Sequence, residues 1–168
     1  MLTVEQIKEL LNLRPLPVEG GFFAETYRAA EELPATALPA RYGAGRPHGT
    51  AIYYLLTPDS RSTLHRLRTD EVWHFYLGDA VELLQLLPDG TGQVVPVGTD
   101  LAAGQRPQVV VPRGVWMGAR LAAGGRFALL GTTMAPAFDP ADFEAGARDT
   151  LLVDYPAWRE MIVALTPP

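Results

Sequence analysis

At 168 residues, 48% of them apolar and 20% charged, the chain has the size and composition of one globular domain, and no apolar run reaches the roughly 20 residues that span a bilayer. The absence of cysteine excludes a disulfide framework, thiolate metal sites and a cysteine nucleophile together. The formal net charge is -5 and the 14 Lys and Arg are scattered singly, which speaks against nucleic acid as a partner. The amphipathic start MLTVEQIKEL has neither the charged head nor the apolar middle of a signal peptide, so the expected compartment is the cytoplasm and no membrane partner is expected. The single lysine, Lys8, amid Ala, Gly, Pro and Arg suggests a GC-rich bacterial genome.

Thr3 to Leu13 reads as a helix: Thr3 suits an N-cap, and Val4, Ile7, Leu10 and Leu11 recur at helical spacing. Pro15 to Gly21 is a turn, and Gly21 to Arg28, with Phe22, Phe23, Thr26 and Tyr27, suits a strand. Glu31 to Pro47, rich in proline and without periodicity, is expected to be a surface loop near a pocket mouth, and the least ordered stretch. Eight strand-length runs follow: 50–57, 62–67, 71–77, 80–87, 93–97, 108–111, 114–121 and 126–133, divided by turn signals such as Pro88-Asp89-Gly90 and Gly124-Gly125. Pro140 to Ala145 reads as a short helical turn and Pro156 to Leu165 as a second helix, with Trp158, Ile162 and Leu165 on one face. The reading is an all-β chain with short flanking helices at both termini, forming one domain over 1–168 whose core is about 49–133. Eight strands is the count of an antiparallel jelly-roll β-barrel.

The stretch richest in chemistry is Ser62 to Gly78, STLHRLRTDEVWHFYLG. Strand alternation puts His65 and Leu67 on one face, and the turn at Arg68 to Asp70 brings Glu71 onto the next strand with Trp73 and Phe75 on its own face. If those faces point inward, an imidazole and a carboxylate meet in an apolar interior, where they can move protons, bind a polar ligand group or hold a metal. The same pair also reads as a satisfied core hydrogen bond with no further role. Alternation sends His74 to the opposite face, as a surface or interface histidine, and leaves Asp70 as a turn residue. His48 reads as solvated. Arg61, Arg66 and Arg68 flank the motif, either as solvated strand ends or as contacts for an anionic substrate.

His65, Glu71 six positions on and Gly78 after six further residues resemble the first motif of the cupins, and Pro112-Arg113-Gly114-Val115-Trp116-Met117 resembles the second. EGGFFAETYR, TAIYYLL, DEVWHFYLGDAVELLQLLPDG, PQVVVPRGVW and APAFDPADFE are similar to segments of the small uncharacterised cupins grouped as DUF985, over about residues 17 to 145. The resemblance implies the jelly-roll barrel and, through the pairing of sheet edges in family members, a homodimer. It also implies a metal set of two histidines and a glutamate from the first motif and a histidine from the second. Here Leu67 and Met117 occupy two of those four places, so no metal cofactor is expected; a divalent metal, if one is present, would sit on His65 and Glu71. Three functions follow from the resemblance and the departures together. One is a small-molecule-binding cupin acting as a metal-independent, sugar-type isomerase or epimerase, with His65 as general base, Glu71 beside it, a tyrosine as acid, and Trp73, Phe75 and Met117 lining the ligand pocket. The alternatives are a metal-dependent cupin dioxygenase or isomerase, and a non-catalytic ligand-binding protein.

Overall fold

The computed structural model describes residues 2–167. Helix α1 (Val4–Leu10) begins at Thr3, whose hydroxyl accepts the Gln6 amide while the Gln6 side chain accepts the Thr3 amide, a reciprocal cap. It stops sooner than helical spacing predicts, because Asn12 takes a left-handed φ of 53°. The short β1 (Arg14–Pro15) leads to β2 (Phe22–Arg28); β3 (Glu32–Leu33) and β4 (Arg46–Pro47) form a separate two-stranded pair. Next come β5 (Thr50–Leu56), β6 (Ser62–Arg66), β7 (Glu71–Gly78), β8 (Val81–Leu86), β9 (Gly92–Val97), β10 (Gln108–Val111), β11 (Trp116–Leu121) and β12 (Ala128–Met134). A 3-10 turn at Pro140–Asp142 precedes β13 (Glu144–Ala145), followed by α2 (Arg148–Asp154) and α3 (Arg159–Leu165).

The strands form two antiparallel sheets, ordered β1-β2-β5-β12-β7-β10 and β13-β6-β11-β8-β9. Their facing sides enclose a core that includes Tyr54, Leu56, Trp73, Leu83, Met117 and Leu130. The architecture is therefore a sandwich with free sheet edges rather than the closed barrel expected. Strand lengths and turn signals are the same in both, and only non-local pairing separates them. Alternation sends a second set of apolar side chains outward. Leu55 and Leu129 meet Ile7 of α1 on one outer face, and Leu64, Leu84 and Leu86 meet Leu151, Ile162 and Leu165 of α2 and α3 on the other.

Two local expectations change. The 140–145 stretch is a single 3-10 turn ending in a strand, and the true helix, α2, starts one turn later without a side-chain cap. The 31–47 segment carries strand pairing and two 3-10 turns. It is pinned by Arg46, buried with Asp142 in a two-pronged ion pair (Nη2 to Oδ1 2.9 Å, Nε to Oδ2 3.4 Å) that ties it to residues 138–145. Among the described residues no helix is long and apolar enough to cross a membrane.

Candidate functional site

The site begins in the turn before β2. Gly20 and Gly21 have φ of 96° and 70°, and a Cβ at either would stand 2.5 Å from the Arg61 carbonyl oxygen or 2.9 Å from the Tyr54 ring. Only glycine meets both demands. The tight turn places the Glu19 carboxylate where the Ser62 hydroxyl donates to it at 2.8 Å, and the Glu19 carbonyl accepts the Thr63 amide at 2.8 Å. Glu19 is thereby locked against β6, the strand that carries His65.

His65 is buried, opposite Met117 of β11 and Ala145 of β13, and its ring stacks on Phe143 at 4.9 Å between centroids. Its Nδ1 lies 2.8 Å from the Thr63 carbonyl oxygen. A carbonyl only accepts, so Nδ1 carries a proton and, in the neutral ring, Nε2 keeps a free lone pair. Nε2 has no hydrogen-bond partner among the described residues. Glu71 opens β7 on the facing sheet, and its Oε2 accepts the Trp73 indole N–H at 2.9 Å. Burial pushes the Glu71 carboxyl up to about 7 and the Glu19 charge adds to that, while the imidazole and hydrogen bonds from Thr132 and Trp73 pull it down. At neutral pH Glu71 is divided between acid and carboxylate, so it can donate or accept a proton.

His65 and Glu71 share the wall of a cavity of about 80 Å³ with Glu19, Ile52, Thr132 and Met134. The cavity holds a ligand's polar end rather than a whole ligand, since small-molecule sites run to roughly 300–1,000 Å³. It shares Leu16, Glu19 and Phe138 with a wider hollow of about 390 Å³, whose other walls are Pro17, Val18, Pro140 and Phe143. Val18 on that rim stands at φ 68°, a region that β-branched residues rarely occupy.

The structure thus brings His65 and Glu71 together at one cavity. Trp73, Phe75 and Met117 are not among the residues that line this cavity, although Met117 pairs with His65 across β11 and β6. Trp73 and Met117 are buried in the central core, where Trp73 acts on the site through its indole N–H, and Phe75 packs against the same core farther along β7. The mouth is formed by 16–19 and 138–143, not by the 31–47 loop. Among the described residues no tyrosine lines the cavity: Tyr54 is buried, its hydroxyl donates to the Gly20 carbonyl at 2.9 Å, and burial raises its pKa well above the usual value. His74 turns outward: its Nδ1 accepts from the Gln108 side-chain amide at 3.3 Å, which leaves Nε2 to donate to the Thr133 hydroxyl oxygen at 3.0 Å.

The Cupin superfamily (DUF985) family, Cupin_5, matches residues 5–146. The chain belongs to this family. It is 32% identical over 133 residues to the uncharacterized protein YML079W of Saccharomyces cerevisiae, a match covering 74% of this cupin and 66% of the yeast protein, just under two thirds of the latter's length. A hypothetical protein from Leishmania major superposes with a TM-score of 0.89 at 31% identity, covering 99% of this cupin and 100% of that chain. A protein from Shewanella oneidensis does so with a TM-score of 0.87 at 33% identity, covering 100% and 99%. Oxalate decarboxylase of Bacillus subtilis shares the fold alone, with a TM-score of 0.53 at 13% identity, covering 92% of this cupin and 37% of that chain. These likenesses make the two-sheet architecture a jelly-roll sandwich.

A metal is the group that the cupin fold raises first, and of the four motif positions only His65 and Glu71 carry a ligand side chain here. Of the four motif positions, Leu67 offers no donor and Met117 offers a buried thioether, a poor ligand for hard divalent cations. Among the described residues no three His, Asp or Glu side chains converge in a way that could hold a metal ion.

Proposed function

We propose that this cupin binds a small molecule with its polar end in the His65–Glu71 cavity and moves a proton on it, as a metal-independent isomerase or epimerase of the sugar type. The observation that carries the reading is the pairing of a lone-pair Nε2 on His65 with a Glu71 carboxyl poised near neutrality, at one small cavity. His65 takes a proton from a carbon next to a carbonyl, the Thr63 carbonyl holds the resulting imidazolium in place, and Glu71 in its acid form protonates the developing oxyanion. Glu71 takes the acid role first expected of a tyrosine. Leu16, Pro17, Phe138 and Phe143 in the outer hollow would cover the uncharged remainder of the substrate and exclude water.

The test is deuterium wash-in. The protein is incubated in D2O with a panel of aldoses, ketoses and α-hydroxyketones, and exchange at carbon is read by mass spectrometry. Wash-in with one of them, lost in His65→Asn and Glu71→Gln, supports the reading. Ligand binding at this cavity without any wash-in makes the protein a non-catalytic binding cupin instead.

A further inference from the structure

A further hollow of about 380 Å³ is lined by Arg41, Arg66, Arg68 and Arg113, with Asp142 and Glu144 among its other walls; it shares Leu67 with the His65–Glu71 cavity and Phe143 with the outer hollow. Four of the 14 basic residues of a chain with net charge -5 meet there. Their partners decide which charges are available. Arg66 is held by both Glu144 oxygens at 2.8 Å, and Asp142 is held by Arg46. Arg41 and Arg68 instead grip each other's backbone: Arg41 Nε donates to the Arg68 carbonyl at 3.1 Å, and Arg68 Nη1 to the Arg41 carbonyl at 3.0 Å, while Arg41 Nη2 also donates to the neutral Tyr42 hydroxyl at 3.3 Å and its guanidinium lies 4.7 Å from that ring. Those bonds position both guanidinium groups without neutralising either. The Arg113 guanidinium has no hydrogen bond or ion pair among the described residues; its backbone N–H donates to Asp70 Oδ1 at 2.8 Å. On other surfaces Arg28, Arg120 and Arg126 each meet a carboxylate.

Three unneutralised guanidinium groups around one hollow repel one another, and an anion relieves that repulsion. Guanidinium forks match the oxygens of a tetrahedral oxyanion, and a dianion offsets more of the charge than a carboxylate does. We propose that the Arg41–Arg68–Arg113 hollow binds a phosphate group, either free phosphate or that of a small phosphomonoester. A polyanion is disfavoured by the net charge of -5, which repels an extended phosphate backbone. The site stands apart from the proton-transfer reading, and its test involves no reaction.

Titration calorimetry at low ionic strength, with inorganic phosphate and separately with glycerol 3-phosphate, tests it. Saturable one-site binding is expected, weakened about ten-fold by Arg68→Gln and again by Arg113→Gln, and unchanged by Arg120→Gln. Tighter binding of the ester identifies a phosphorylated small molecule, and equal or weaker binding identifies free phosphate. The Arg113 side chain makes no structural hydrogen bond, so Arg113→Gln should keep the parent melting temperature and report on binding alone. No saturable binding of either compound, or binding that survives the Arg68→Gln/Arg113→Gln double variant, overturns the proposal.

Discussion

Replacing Glu71 by glutamine should make the protein more stable at pH 8 and remove much of its pH dependence. The Glu71 carboxyl titrates near 7 in the folded chain against 4.5 when free. Between those values the native state holds a proton that the unfolded chain has released, so this group's contribution to stability is greatest below 4.5, falls as pH rises to 7 and levels off above it. A shift of that size corresponds to about 3 kcal/mol, or about 6 to 12 °C in melting temperature for a chain of this length. Glutamine keeps a similar shape and an oxygen to accept the Trp73 indole N–H, but it does not ionise. Urea unfolding of parent and Glu71→Gln at pH 5, 6, 7 and 8 reads the effect of Glu71 together with its coupling to Glu19 and His65, because the ionisable groups away from the cavity are the same in both. The difference should grow in favour of the variant across the series, approaching about 3 kcal/mol at pH 8. A difference that stays flat with pH, or a variant less stable at pH 8, would refute the reasoning.

His65→Asn should cost about 1 to 2 kcal/mol in urea unfolding through loss of the Phe143 stack and the bond to Thr63. Because the imidazole pulls the Glu71 pKa down, the same variant should raise it further in a carboxyl titration. Asp142→Ala removes the nearest carboxylate from the buried Arg46 guanidinium, which keeps Asp139 at 4.0 Å and three backbone carbonyls, and should cost about 3 kcal/mol, whereas a loss under about 1 kcal/mol would show the pair to be dispensable. Elemental analysis after ordinary purification should find far less than one equivalent of transition metal, and chelation should leave the melting temperature unchanged; stoichiometric metal on His65 and Glu71 would revive the oxygenase reading. We also propose a homodimer, since strand β10 leaves a sheet edge open. Sedimentation should give about twice 18.3 kDa, and a monomer at micromolar concentration contradicts it.

Most of the strands could be read from the sequence because each is bounded by turn chemistry and patterned by alternation. Gln108–Val111 has the bounds expected of it, and the other strand runs differ by a residue or two at their ends. The missed helix α2 has only 7 residues and no capping side chain, so it left no start signal. His65 and Glu71 were legible from motif spacing and face alternation. The remaining wall of the cavity was not, because Ile52, Thr132 and Met134 come from β5 and β12, which reach the site only through pairing between residues far apart in sequence. Alternation placed Trp73 on the correct face but could not distinguish a cavity wall from the packed core beside it. Glu19 lies within a stretch that reads only as a turn, although the Glu-Gly-Gly sequence marks a backbone that only glycine allows.

The acid role of Glu71 is tested most directly by carboxyl NMR of protein labelled with carbon-13 in its glutamates, titrated from pH 4 to 9, with the Glu71 resonance assigned by its absence in Glu71→Gln. An acid–base site at His65 and Glu71 predicts a Glu71 midpoint near 7. A midpoint near the ordinary 4.5 would contradict it, leaving Glu71 a permanent carboxylate that cannot donate the proton the proposed reaction requires.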